Sequence, residues 1–170
     1  MVIKIKPKFS KEQIQKMLQG KLEVVQKAYI ERLKFIGETF VKNARTNGNY
    51  QDQTGNLRNS IGYVILKDGK QLIENFSRSA KVNKAVIDKN GKERKVSTKG
   101  DASGTSVGRE KALEVAQKFP SGLVLICVAG MDYAAAVESK GKDVISSSST
   151  LAKNELRKAV EELWKKLQKL

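Results

Sequence analysis

The chain has 170 residues, of which 39% are hydrophobic and 6% aromatic, so it can form one domain with a largely aliphatic core. There are 33 Lys and Arg residues against 18 Asp and Glu, a net charge of +15, with no histidine and one cysteine, Cys127. This composition excludes an intrachain disulfide scaffold and every catalytic centre that depends on histidine, and it argues against a structural zinc site.

The chain shows no targeting or membrane-spanning pattern. Met1–Lys8 alternates apolar and basic residues and lacks the apolar run of a signal peptide. The longest apolar run, Leu123–Ala129, is far shorter than the roughly 20 residues that a bilayer span needs. We therefore expect no membrane partner. Because the single thiol lies inside this run, we expect a reducing cytoplasm as the compartment and a buried, unreactive Cys127.

A long amphipathic helix is predicted first. Ser10 and Gln13 have the spacing of a capping box, and the apolar residues that follow recur every three or four positions, which is the period of one helical face. These residues are Ile14, Leu18, Leu22, Val25, Tyr29, Leu33, Ile36 and Phe40. The helix is expected to end near Asn47-Gly48-Asn49. Its expected length of roughly 45–50 Å is large for such a domain, so we expect part of its apolar face to meet a second chain.

Two hairpins are predicted next. A polar turn leads into a strand over Ile61–Leu66, which Asp68-Gly69 connects to a returning strand over Gln71–Phe76. Residues Ser77–Gly108 then carry eight Lys or Arg residues against three Asp or Glu residues. We expect this segment to be a mobile basic arm built on a second hairpin that turns at Asn90-Gly91.

The second half of the chain alternates helices and strands. We predict a helix over Val107–Phe119, a strand buried on both faces over Leu123–Ala129, a short helix stopped by Gly141 and a short strand over Asp143–Ile145. We predict Ser146–Thr150 as the capping cluster of the last helix. The predicted fold is one α+β domain over residues 1–170, with a long amino-terminal helix, an antiparallel sheet carrying the arm 77–108, and a carboxy-terminal helix.

No catalytic constellation is present in the sequence. No Ser-x-x-Lys pair lies in a sequence context typical of an active-site cleft, and no P-loop motif occurs. The carboxylates Asp52 and Glu138 have no spacing that would mark them as a catalytic pair. We therefore expect no enzyme activity, no cofactor and no metal site. The basic charge permits nucleic-acid binding, although the arm lacks the interleaved aromatic residues that stack on single strands.

Two segments carry more specific information. The first has the pattern Y-x-D-x-T-G-x-L-R-x-S-I from Tyr50 to Ile61, and the second runs from Ala129 to Gly141. On physical grounds we expect Thr54-Gly55 to form a turn and Tyr133 and Val137 to pack on the strand Leu123–Ala129. The packing residues that we single out are Tyr50, Thr54, Gly55, Leu57, Ile61, Tyr133, Val137 and Gly141.

This pair of segments, after a long helix and before a final one, resembles the minor tail and tail-completion proteins of long-tailed bacteriophages, the head–tail joining family. The likeness covers Ser10–Leu167 apart from the arm. It implies a non-enzymatic structural protein of the virion that assembles in the bacterial cytoplasm. Copies would form a sixfold ring between the capsid connector and the tail tube, whose proteins would be its partners, with only incidental DNA contact.

The resemblance also suggests which residues face neighbours. Arg58 and Glu138 carry charges that a core would not accept unpaired, so we place them at the domain rim, facing a neighbour or each other, where reversing either charge should change stability little. On the arm, Lys89, Lys92 and Arg94 are candidate interface residues. The alternative function is a basic nucleic-acid-binding domain that uses the arm and the helix faces.

Overall fold

The computed structural model describes residues 10–50, 52, 54–78, 82–87, 89, 91–98 and 102–168, with the backbone alone described for 82–86, 93–98 and 167. The helices are α1 (Lys11–Asn47), α2 (Asn56–Ser60), α3 (Ser103–Ala116), α4 (Ala134–Ser139) and α5 (Ser146–Leu167). The strands are β1 (Ile61–Lys67), β2 (Lys70–Asn75), β3 (Val82–Ile87), β4 (Glu93–Thr98) and β5 (Leu123–Ala129).

The α+β prediction is confirmed. One sheet has three antiparallel strands in the order β2-β1-β5, and β3 and β4 form a separate antiparallel pair. Both predicted hairpins are therefore present. In the second one Gly91 has a φ of +73°, which suits a glycine in a tight turn, and the other predicted turn residue, Asn90, lies outside the described residues.

Helix α1 begins with the predicted capping box. The backbone N–H of Ser10 donates to Gln13 Oε1 at 2.9 Å, and the N–H of Gln13 donates to Ser10 Oγ at 3.2 Å. The chain divides into two compact units, Met1–Arg32 and Leu33–Leu170. The amino-terminal part of α1 belongs to the first unit. The rest of α1, with all the strands and the other helices, belongs to the second.

The three-stranded sheet of the second unit has a helix on each face. On one face α1 lies against β1, because Gly37 contacts the ring of Tyr63 and Glu38 accepts a hydrogen bond from the Tyr63 hydroxyl at 2.8 Å. On the other face, Ala112 of α3 packs with alternate residues of β1 and β5. That cluster comprises Val64, Leu66, Ala112, Ile126 and Val128. Strand β1 is buried because it is the central strand.

Small residues allow α3 to approach α2 closely. Gly104, Gly108 and Ala112 are buried at four-residue spacing, on one face of α3. A Cβ on Gly104 would lie 2.2 Å from the carbonyl oxygen of Asn56, and one on Gly108 would lie 2.3 Å from that of Ser60. The two helices thus meet backbone to backbone, and only glycine fits at these two positions.

Three local predictions are wrong. Helix α3 begins at Ser103 rather than Val107, so Gly104 and Gly108, which we assigned to the arm, pack on α2. Strand β5 is an edge strand with mostly half-buried residues, and β1 is the strand buried on both faces. No strand forms over Asp143–Ile145, because the N–H groups of Val144 and Ile145 bond to the Glu138 side chain instead.

Candidate interaction surfaces

Chemically reactive groups are scarce in the part of the chain that the structure describes. No three His, Cys, Asp or Glu residues there lie close enough to hold a metal ion, and none of the described helices has the length and apolar character of a membrane span. Cys127 is half-buried, and burial raises the pKa of its thiol to about 12. At neutral pH the group is therefore a protonated thiol rather than a nucleophilic thiolate.

The first motif is a capped helical turn. Oδ1 of Asp52 accepts the N–H of Gly55 at 2.8 Å, and Oδ2 accepts the N–H of Arg58 at 2.8 Å. The hydroxyl of Thr54 accepts the N–H of Asn56 at 3.3 Å, and Gly55 has a φ of +82°. The carboxylate therefore satisfies N–H groups at the start of α2 that have no partner within the helix, and the left-handed Gly55 allows the reversal. The predicted turn at Thr54-Gly55 is present.

Tyr50 and two arginines form the polar side of this motif. Tyr50 is 6% exposed, and the guanidinium carbon of Arg58 lies 5.8 Å from its ring centroid, within cation–π range. Burial raises the pKa of the Tyr50 hydroxyl, although the nearby Arg58 opposes the shift. Arg45 donates to the carbonyl oxygen of Ile61 at 2.6 Å and to the hydroxyl of Ser77 at 3.0 Å. Burial lowers the pKa of the Arg45 guanidinium.

The fold brings the two motifs together. The carbonyl oxygen of Ser60 accepts the N–H of Gly130 at 3.2 Å, and the Ser60 hydroxyl accepts the N–H of Met131 at 3.3 Å. Ile61 pairs with Ala129 at the adjoining position of the β1–β5 ladder. Leu57, 2% exposed, and Ile61, fully buried, anchor the first motif as predicted. The sequence offered no direct sign that Ser60 and Gly130 meet.

The second motif differs from the prediction. Tyr133 is 43% exposed, and Ala134 is the buried residue at the start of α4. The prediction that Tyr133 packs on β5 is therefore wrong, because the turn closed by the hydrogen bond from the N–H of Ala134 to the carbonyl oxygen of Met131 leaves Tyr133 exposed and Ala134 buried. Val137 is half-buried, and Gly141 has a φ of +73° just after the helix.

Glu138 has a role within the chain. Its Oε1 accepts the N–H groups of Val144, Ile145 and Ser146 at 3.2, 2.8 and 2.9 Å, and the Ser146 hydroxyl at 3.0 Å. Burial disfavours its ionisation, but these hydrogen bonds outweigh burial and lower its pKa. Glu138 therefore caps α5, and Arg58 is not its partner. Because these bonds hold the start of α5, we now expect reversal of the Glu138 charge to lower the stability of the protein, where the sequence led us to expect little change.

The remaining candidate residues lie on the hairpin β3–β4. Lys89 and Lys92 are exposed, which suits a contact surface, and the side chain of Arg94 lies outside the described part of the chain. Nothing in the described residues assigns these lysines a particular ligand.

An apolar stripe occupies the amino-terminal part of α1. Ile14, Met17, Leu18 and Leu22 are 39%, 57%, 57% and 56% exposed. Their spacing of three and four residues places them on one face of the helix. In the carboxy-terminal part of the same helix, Leu33 and Phe40 are at most 2% exposed. One continuous hydrophobic pattern thus covers a buried segment and an exposed one.

Comparison with known proteins adds no assignment. No family model, no curated protein and no solved structure matches the chain.

Proposed function

We propose that this protein is a structural component of a phage or prophage tail. Copies of the protein would form a ring at the head–tail junction and would catalyse no reaction. The observation that carries the proposal is the exposed apolar stripe of α1, Ile14, Met17, Leu18 and Leu22. Contiguous exposed apolar residues at helical spacing are typical of interaction sites in soluble proteins. In the ring, this stripe would contact a neighbouring subunit.

The motif pair supports the same proposal. The segments that resemble the head–tail joining family are in contact through Ser60, Gly130 and Met131, so they form one structural element rather than two unrelated matches. Copies related by rotation would contact one another through different surfaces on the two sides, as closed rings require. The connector and tail-tube proteins would bind the two faces of that ring in the virion.

A charge-matched pair of double variants tests the proposal. L18E/L22E places two carboxylates on the stripe, whereas K16Q/K27Q changes the net charge by the same amount on the opposite side of the helix. All four residues are exposed, so both variants should fold with the circular dichroism spectrum of the wild type. In a phage or prophage deleted for this gene, L18E/L22E should reduce infectious particles at least tenfold and leave heads and tails unjoined. K16Q/K27Q should restore joining.

Two results would overturn the proposal. The first is full complementation by L18E/L22E. The second is normal joining of heads to tails in the deleted phage, because the protein would then be dispensable for the step assigned to it.

A further inference from the structure

The two edges of the three-stranded sheet differ in a way that bears on self-association. Edge strand β2 carries Lys70 and Glu74, and a register shift interrupts its pairing with β1 between Ile65 and Leu66. Charges and irregular pairing of this kind discourage a further strand from adding to an edge. Edge strand β5, with the sequence LVLICVA, has no charge, no proline and an uninterrupted register.

The hydrogen bonds just beyond the two ends of β5 show which of its residues point their backbone N–H and C=O groups towards β1. Gly130 donates to Ser60 at 3.2 Å, and Gly122 accepts from Asp68 at 2.9 Å, so the even-numbered residues of this stretch point their backbone groups towards β1. In an antiparallel ladder the intervening residues point away. Those residues are Leu123, Leu125, Cys127 and Ala129. No hydrogen-bond partner meets their outward N–H and C=O groups within the described chain.

We propose that the free edge of β5 pairs with β5 of a second copy of this chain, antiparallel and about a two-fold axis at Ile126. In this register Leu123 lies opposite Ala129 of the second copy, and Leu125 lies opposite Cys127 of the second copy. Every outward-facing residue then meets an outward-facing residue, and each such pair exchanges two hydrogen bonds. A shift by two residues would leave at least one residue of each strand unpaired. The product is a continuous six-stranded sheet.

The two ends of the strand carry opposite charges and exposed aromatic rings. Antiparallel pairing brings the Lys118–Phe119 end of one copy to the Asp132–Tyr133 end of the other. All four residues are exposed, and the aromatic rings of Phe119 and Tyr133 are 41% and 43% exposed. Lys118 of one copy therefore lies near Asp132 of the other at both ends of the shared edge. Between these ends β5 has no charged residue, so the two paired strands do not repel each other.

This pairing is separate from the ring contacts of the proposed function. A two-fold contact uses the same surface on both copies, whereas a ring contact uses two different surfaces. Because each copy has a net charge of +15, salt should favour the pairing by screening repulsion between the two copies.

Amide hydrogen exchange of the unaltered protein tests the proposal directly. In 0.5 M NaCl, raising the protein concentration from about 1 to 100 μM should slow exchange at Leu125 and Cys127 at least tenfold. The neighbouring amides of Val124 and Ile126, which point towards β1, should show no comparable change. Sedimentation equilibrium on the same samples should show conversion from monomer to dimer. Exchange at Leu125 and Cys127 that does not depend on concentration would overturn the proposal.

Disulfide trapping tests the register. L125C places a thiol opposite the native Cys127 of the second copy, at a Cα separation of about 5.5 Å that a disulfide can span. L123C places a thiol two residues out of register, and in the unaltered protein the two Cys127 residues are roughly 8–9 Å apart. With diamide as oxidant, L125C should form covalent dimers, whereas L123C and the unaltered protein should not. Equal trapping of L123C and L125C would contradict this register.

A deletion variant tests the other occupant that the sequence offers. The alternating residues Met1–Lys8 are the second candidate for pairing with the same edge. A variant lacking residues 1–9 should dimerise as the full chain does. Loss of the dimer in that variant would assign the edge to the amino-terminal segment and overturn pairing between the two β5 strands.

Discussion

The backbone of α1 at Gly37 packs directly against the ring of Tyr63 in the central strand β1. A Cβ built on Gly37 would lie 2.7 Å from the nearest ring carbons, and the Tyr63 ring is fully buried. The hydroxyl of the same ring is held by Glu38, one residue further along the helix. The ring therefore cannot move away without breaking this hydrogen bond, and the distance between α1 and the sheet depends on the absence of a side chain at position 37.

We predict that G37A destabilises the protein by about 1–3 kcal/mol, since overpacking at a rigid contact outweighs the better helix propensity of alanine. G20A is the matched control in the same helix, because nothing lies within 4 Å of a Cβ there. It should be neutral or stabilise by up to about 1 kcal/mol. Urea unfolding of both variants measures the difference. Equal stability of the two would show that Tyr63 does not set this contact.

The contact of α3 with Ser60, the residue at which the two motifs meet, gives a second prediction. G108A should cost about 2–4 kcal/mol, because the added methyl group would lie 2.3 Å from the carbonyl oxygen of Ser60, a backbone atom rather than a flexible side chain. S106A is the control, on an exposed position of the same helix turn. Thermal unfolding distinguishes the two variants. A G108A protein as stable as S106A would contradict the close packing of α3 on α2.

The Glu138 cap predicts a dependence of stability on pH. The folded-state pKa of Glu138 is lowered, so its contribution is present above the unfolded pKa near 4.5 and is lost as pH falls through the folded value. E138Q should therefore be about 0.5–2 kcal/mol less stable than the unaltered protein at pH 7, and the difference should shrink towards pH 3. E161Q, at an exposed position of α5, is the matched control. A difference that stays constant from pH 7 to pH 3 would exclude the cap as its cause.

Reactivity of the single thiol gives a fourth prediction. With a pKa of about 12, Cys127 should react with iodoacetamide at pH 8 at least 100-fold more slowly in the folded protein than in 6 M guanidinium chloride. Mass spectrometry of timed samples measures the two rates. Comparable rates would mean that β5 opens readily or that the thiol is more accessible than the structure indicates.

The basic hairpin separates the proposed function from the nucleic-acid alternative. We expect only weak binding to random duplex DNA, and reversal of the charges at Lys89, Lys92 and Arg94 should leave the fold intact. A protein that works through six or more phosphate contacts would instead lose about 10³-fold or more in affinity between 50 and 200 mM salt. Tight binding of this kind, abolished by the three reversals, would favour the alternative.

Periodic patterns made the long helix and the hairpins predictable. The capping box and the apolar spacing identified α1, and Asp68-Gly69 identified the turn of the first hairpin. The start of α3 could not be predicted in the same way. Ser103–Ser106 has poor intrinsic helix propensity, and the helix forms there because Gly104 packs on the backbone of α2.

Long-range contacts account for the other differences. The Leu123–Ala129 run has the composition of a central strand, and only the observed pairing with β1 shows that it lies at an edge. Similarly, Ser146 begins α5 because Glu138 caps it from six to eight residues earlier in the chain, a contact that no local pattern encodes. In the candidate site, the residues of both motifs were identified, but their meeting at Ser60 was not.

Electron cryomicroscopy of the assembled phage particle tests the central claim most directly. The particle would carry this protein with a small tag at the carboxy terminus, and a parallel sample would come from the phage deleted for its gene. The account predicts a ring of density at the junction between connector and tail tube, into which the sheet and its flanking helices fit, with the tag on every subunit. It also predicts separate heads and tails in the deleted phage. Tagged protein absent from purified particles, or present elsewhere in the virion, would contradict the account.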